Sequence, residues 1–176
     1  KILLVKRLLA EFLADQVERG WLGREDALWV AREWLYDAAA RRYLEAEREF
    51  ETAIDLDPAL FEAHYFYARL CFTQGKYEKA VEMYRRAGEV NPEDYQSPSL
   101  EAFTLRTMKR TEEARAAYAR SLQAIERHVE FNPDDSRAIF LGATALIDLG
   151  QKERAFEWIR RAEAIDPGDP FLLYGV

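Results

Sequence analysis

Four prolines set the frame of this 176-residue chain, because Pro58 and Pro92 stand 34 residues apart and so do Pro133 and Pro167. A fixed period of that length marks a stack of small supersecondary units, none able to bury its apolar face alone. The most regular unit is Phe61 to Pro92, FEAHYFYARLCFTQGKYEKAVEMYRRAGEVNP. With Phe61 as position 1, positions 4, 7, 8, 11, 17, 20, 24, 27 and 32 hold His64, Tyr67, Ala68, Cys71, Tyr77, Ala80, Tyr84, Ala87 and Pro92. Small residues at 8 and 20 let two helices approach closely, large ones fill the space around that contact, and Pro92 ends the second helix. Gly75, in Gln74-Gly75-Lys76, tolerates the left-handed backbone of the turn between them.

The other units are read against this one. Residues 2–19 predict a helix with Val5, Leu8, Leu9, Phe12 and Leu13 on one stripe, ended by Gly20-Trp21-Leu22-Gly23 and outside the repeat register. Residues 1–23 are therefore expected to be a cap or the tail of a preceding domain, and residues 24–169 the repeat domain. The first repeat, about 27–58, fits in its second half through Tyr43, Ala46, Phe50, Ala53, Leu56 and Pro58. Its first half puts Trp34 where a small residue belongs and Asp37 where an apolar one does, and no Gly marks a turn near Ala39 to Arg42. A bent or continuous helix there is the alternative. The third repeat, 95–133, opens on Ser97-Pro98, an N-cap followed by Pro in the first turn, and holds Ala102, Ala114 and Tyr118 at positions 8, 20 and 24. Its closing proline arrives seven residues late. Seven residues are about two helical turns, or about 10 Å, so a second helix from about Thr111 to Phe131 is expected to protrude or to push the next repeat outward. The fourth repeat, 136–167, restores the period, and residues 170–176 read as the start of a further helix, cut off.

This pattern over residues 27–167 resembles the tetratricopeptide repeat. The resemblance implies an all-α, right-handed superhelical solenoid of antiparallel helix pairs with an extra N-terminal helix, and a non-catalytic role in protein binding. The last copy, ALIDLGQKERAFEWIRRAEAIDPGDPFLLYGV, also resembles repeat tails attached to bacterial signalling proteins such as cyclases and kinases, although no cyclase or kinase motif is present. No Met opens the chain, so it is expected to be a piece of something longer.

Composition narrows the partners. Hydrophobic residues make up 49% and charged ones 32%, which suits a folded, water-exposed chain, and the net charge of −7 disfavours nucleic acid and anionic membranes. The longest apolar run, Ala27 to Ala31, is far too short for membrane insertion. The single Cys71 excludes an intrachain disulfide or a cysteine zinc site, and the cytoplasm is the expected compartment.

No phosphate loop, HExxH or GxSxG occurs, so no catalytic residue, metal ligand or cofactor is assigned. His64 at position 4 reads as a packed ring, Cys71 as a small buried hydrophobe, and His128, between Glu126 and Glu130, as part of a solvated face. Glu112-Glu113 and Asp134-Asp135 suit helix starts. Arg85-Arg86 and Arg160-Arg161 read as solvation of the outer face, with a shared anion site as the sharper alternative.

Function is expected on the inner surface built from first helices, at positions 2, 5, 9, 12 and 13. Tyr65, Phe103 and Phe140 would line up there, with Arg69, Arg106 and Arg137 beside them, as partner-binding residues for a protein or peptide with apolar anchors and some acidic groups. Packing of some of these aromatics between neighbouring repeats is an equally good reading. The places where chaperone-binding members of the family carry Lys and Asn hold Tyr65, Arg69, Leu100 and Leu141, which argues against that ligand. Self-association through the open ends, and service as a regulatory segment of a larger signalling enzyme, are the alternative readings.

Overall fold

A computed structural model describes residues 2–33 and 38–168; Trp34, Asp37 and residues 170–176 lie outside them. Among the described residues there are nine helices and no strand. The chain divides into two compact units, residues 1–49 and 50–176.

In the first unit α1 (Ile2–Glu18) packs against α2 (Arg24–Arg32). Gly20, with φ of 70°, turns the chain between them, and Leu13 and Ala27 are buried. The next helix, α3 (Ala38–Leu56), begins ahead of Ala39, so the glycine-free stretch Ala39 to Arg42 is helical and not a turn. Arg41 on it ion-pairs with Glu33. The last turns of α3, from Phe50, belong to the second unit.

The second unit is a stack of three helical hairpins: α4 (Phe61–Thr73) with α5 (Tyr77–Val90), α6 (Gln96–Thr107) with α7 (Thr111–Phe131), and α8 (Ser136–Asp148) with α9 (Lys152–Ile165). Successive hairpins meet through α5 against α6 and α7 against α8. In each hairpin a buried alanine of one helix stands opposite a buried alanine of the other: Ala68 and Ala80, Ala102 and Ala114, Ala143 and Ala155. These are positions 8 and 20 of the repeat, where the absence of a larger side chain lets the helix axes approach. Around them Tyr67, Tyr84, Leu105, Tyr118 and Leu146 form the core, with Phe50 and Ile54 of α3 closing the first end.

Position 7 is solved differently in each hairpin. Tyr67 stacks on Phe50 at 5.8 Å and donates to Glu51 at 2.8 Å. Gly142 leaves its place to Trp158, whose Cζ3 would lie 2.2 Å from a Cβ built there. Glu101, in α6, is buried, and two arginines engage its carboxylate.

The 21-residue α7 is seven residues longer than α5 or α9, which is the length that the late proline adds. It does not protrude. Ala124, Ile125 and Val129 on its added turns are buried with Tyr95, Ala138, Ile139 and Ala162, so the insertion is absorbed into a third core cluster. Its final Phe131 stands out, 84% exposed.

All three hairpin turns share one hydrogen-bond pattern. Lys76, Arg110 and Gln151 donate backbone N–H bonds to Cys71, Leu105 and Leu146, five residues back. The residue ahead of each donor has positive φ: Gly75 at 75°, Gly150 at 80°, and Lys109 at 61°. A non-glycine residue in that region carries a steric cost of about 1–2 kcal/mol. Lys109→Gly should therefore raise the stability to urea unfolding by about 1 kcal/mol after the added chain entropy of glycine; an equal or lower midpoint contradicts the strained turn.

Candidate interaction surface

The first helices α4, α6 and α8 are tied side by side. Tyr65 of α4 donates its hydroxyl to Gln96 Oε1 of α6 at 3.2 Å, the rings of Phe72 and Phe103 lie 5.7 Å apart, and Arg106 Nη1 meets Asp148 Oδ2 of α8 at 2.8 Å. Each of these helices presents one large exposed hydrophobic residue, Phe66 at 47%, Phe103 at 41% and Ile147 at 48%. They stand at repeat positions 6, 9 and 12, so they run diagonally across the joined helices.

Of the six residues predicted from sequence, Arg69, Phe103 and Arg106 are on this face and exposed. Arg69 lies 5.9 Å over the Tyr65 ring and Arg106 lies 5.4 Å over Phe103. Tyr65 is only 8% exposed. Its ring is stacked on Phe61 and edge-on to Phe66 and Tyr84, so it is a core residue that supports Arg69 and not an open aromatic step. Ser99, at the same repeat position, is likewise buried, its hydroxyl donating to the Tyr95 carbonyl and 2.5 Å from Ser121 Oγ. Position 5 lies where one hairpin packs on the next. Phe140 is half-buried, and Arg137 is exposed, close enough to Tyr95 for its charge to act on that phenol. With Tyr65 in the core, the aromatic line expected through Tyr65, Phe103 and Phe140 lacks its first member at the surface. Arg106 is not a free cation either, since Asp148 holds it.

Two polar clusters lie away from this face. Glu101, 2% exposed, accepts from Arg85 of α5 at 2.9 and 3.2 Å through one oxygen and from Arg120 of α7 at 2.7 Å through the other. It forms the floor of a cleft of about 470 Å³ between α5 and α7, walled also by Gly88, Gln123 and Arg127. Glu89, Asp94 and Glu101 match the three arginines there in number, so the cleft has no net positive charge to draw an anion. Arg85 thus holds a carboxylate of its own chain, Arg86 pairs with Glu82, and Arg161 reaches the Pro133 carbonyl; the equivalent arginine pairs do not share one role. The sequence signal for this cluster is a carboxylate at position 7, a core place, with arginines at positions 25 and 26 of neighbouring second helices.

The second cluster corrects the reading of His128. Its ring lies against that of Tyr95, centroids 4.7 Å apart and planes tilted by 50°, and its Nε2 is 2.8 Å from Asp135 Oδ2, which also accepts from the Tyr95 hydroxyl at 3.2 Å. Asp135 Oδ1 accepts from the Ala138 amide at 3.0 Å and so caps α8. His64 is buried as expected, with Nε2 donating to the Pro58 carbonyl at 2.9 Å, and Cys71 is buried. Among the described residues no group of three or more His, Cys, Asp and Glu is placed to hold a metal ion, and no helix is long and apolar enough to cross a membrane.

The stacked antiparallel hairpins with small residues at their crossing points define a helical-repeat protein. Residues 37–100 and 104–170 match the tetratricopeptide repeat, well over half of the sequence, and the chain belongs to that family. No curated protein matches it in sequence. Among solved structures it is similar to MamA residues 41 to the end from Desulfovibrio magneticus RS-1, at 19% identity over 93% of this chain and 77% of that one, with a TM-score of 0.55. A MamA RS-1 double mutant gives 19%, 93%, 76% and 0.55 for the same quantities, and a further MamA crystal structure 14%, 76%, 74% and 0.55. At these identities the likeness is one of fold.

Burial disfavours the charged form of Asp135, but the Ala138 amide, His128 and Tyr95 outweigh it and hold the carboxyl below its ordinary value. The stability this gives is complete above the unfolded value near pH 4 and is lost as pH falls through the lower folded value. Asp135→Asn keeps a capping side chain and should flatten that part of the acid limb in urea melts between about pH 2 and pH 5; an unchanged limb would show that the carboxylate contributes nothing.

Proposed function

We propose that this protein is a non-catalytic interaction module that docks a segment of a partner protein on the face formed by α4, α6 and α8. The observation that carries the reading is the exposed hydrophobic residue on each first helix, Phe66, Phe103 and Ile147, flanked by Arg69 and Arg106. Aromatic and arginine side chains are the residue types that most often carry binding energy at protein interfaces, since they bury large area with little rotamer loss. The helices that present them are joined laterally by Tyr65–Gln96, Phe72–Phe103 and Arg106–Asp148, so the surface is rigid before a partner arrives and ordering it costs little.

The face is mixed in chemistry. Arg69 and the Arg106–Asp148 pair sit among apolar rings, which fits a segment with apolar anchors and at least one acidic group better than a wholly apolar helix. Arg137 and Phe140 extend the same surface along α8 in this reading, while Tyr65 acts from beneath, fixing the guanidinium of Arg69.

Proteins captured by the immobilised chain provide the test. Phe103→Ala and Arg69→Glu should each lower capture by about tenfold, the effect of losing about 1.4 kcal/mol, with unchanged circular dichroism and melting. Tyr65→Ala should instead cost about 3–5 kcal/mol of stability, because it empties a core site. Full capture by folded Phe103→Ala and Arg69→Glu variants would rule out this face.

A further inference from the structure

The contacts between the first helices fix where the three exposed apolar residues, Phe66, Phe103 and Ile147, stand relative to one another. Tyr65 meets Gln96 and Phe72 meets Phe103, each 31 residues on, so α4 and α6 run parallel with Phe66 level with Ser97. Phe103 then lies six residues further along, about 9 Å. Arg106 meets Asp148, 42 residues on, which sets Phe103 level with Ala145. Ile147 is two residues beyond, about 3 Å. With about 9 Å between neighbouring axes, the two steps are about 13 Å and about 10 Å, and the whole row spans about 22 Å. The threonines of this face are committed within the protein: Thr73, Thr107 and Thr144 donate their hydroxyls to the Leu70, Phe103 and Phe140 carbonyls of their own helices at 2.8, 2.9 and 3.1 Å.

On the reading that this face is the docking surface, we infer that the partner segment is an amphipathic α-helix with apolar residues at i, about i+8 and about i+15, and a carboxylate near i+4 set against Arg69. Three observations lead there. The span of about 22 Å equals about fifteen residues of helix, and those positions fall on one stripe of it. In an extended strand same-face positions recur about every 6.7 Å, so a strand meets the first step and misses the second by about 3 Å. An extended segment also draws affinity from main-chain hydrogen bonds, for which the committed threonines offer no donor, whereas a helix satisfies its own backbone. Arg69 supplies the polar determinant. It is exposed, it stands three residues after Phe66 and so about halfway along the axis to Phe103, and it meets the Tyr65 ring but no carboxylate among the described residues. Arg106, by contrast, already has Asp148. The acidic residue of the partner therefore belongs between its first and second apolar anchors, where Arg69 gains an ion pair without breaking one.

Fluorescence polarisation of the full chain with labelled peptides decides it. The probe is a helix-forming peptide of Ala and Gln carrying Leu at i, i+8 and i+15 and Glu at i+4. Its comparators are the same residues rearranged so that Leu alternates as on a strand, the probe with one central Pro on the side away from the stripe, and the probe with Lys in place of Glu. The probe should bind at least about tenfold tighter than each of the three, and its far-ultraviolet circular dichroism should gain helix on binding. Arg69→Glu should weaken the Glu probe about tenfold and tighten the Lys probe by a similar factor, a reversal that a merely structural role of Arg69 would not give. Equal affinity for the probe and its rearranged or Pro forms, including no measurable binding of any, overturns the helical partner. An Arg69→Glu variant that weakens both probes alike overturns the placement of the carboxylate. Loss of capture by Phe103→Ala tests the docking surface separately, so a face that captures a partner yet ignores helical peptides refutes this inference and leaves the surface standing.

Discussion

The close approach of the two helices in each hairpin is the constraint from which the rest of the second unit follows. Ala68 with Ala80, Ala102 with Ala114 and Ala143 with Ala155 are all buried, and at these places any larger side chain would hold the helices apart. Once the axes are close, the aromatic and aliphatic residues on either side of the contact have a fixed volume to fill. The first helices are then left on one side with their own face uncovered, and that face is where Phe66, Phe103 and Ile147 stand exposed. The fold and the exposed first-helix face thus have one origin.

Within that frame the hairpins tolerate very different side chains at one place. Tyr67, Glu101 and Gly142 all occupy position 7, and each is made acceptable by its surroundings: a stacked Phe50, a pair of arginines, and the inserted ring of Trp158. The buried Glu101 is expensive to desolvate and is held because both oxygens are engaged by guanidinium groups that themselves reach water. The seven added residues of α7 follow the same logic. Two further turns keep the apolar phase, so Ala124, Ile125 and Val129 fall on the inward side and the helix is clad along its length.

The hairpins, their turns and the length of α7 are legible in the repeat pattern, because small residues, a turn glycine and a terminating proline each act locally. What the pattern hides is what depends on neighbours. Lys109 sits in the left-handed region where glycine is the readable signal. His128 reads as solvated from its flanking glutamates, but the chain folds Tyr95 and Asp135 onto it. On the first-helix face, position along the repeat identifies Arg69, Phe103 and Arg106 as exposed, while the packing of α4 against the next hairpin draws Tyr65 into the core and brings Phe66, one position away, to the surface. The paired residues Arg106 and Asp148 lie 42 positions apart in sequence, and no local rule reports them.

Adjacent residues in α6 separate the framework from the surface most sharply. Ala102 is fully buried at the crossing of α6 and α7, and Phe103 beside it is 41% exposed. Urea unfolding of Ala102→Leu and Phe103→Leu measures the distinction directly. Overpacking at Ala102 should cost about 3 kcal/mol or more and broaden or abolish the cooperative transition, whereas Phe103→Leu should stay within about 0.5 kcal/mol of the parent. Equal stability of the two variants would contradict a fold organised on the alanine contact with Phe103 outside its core.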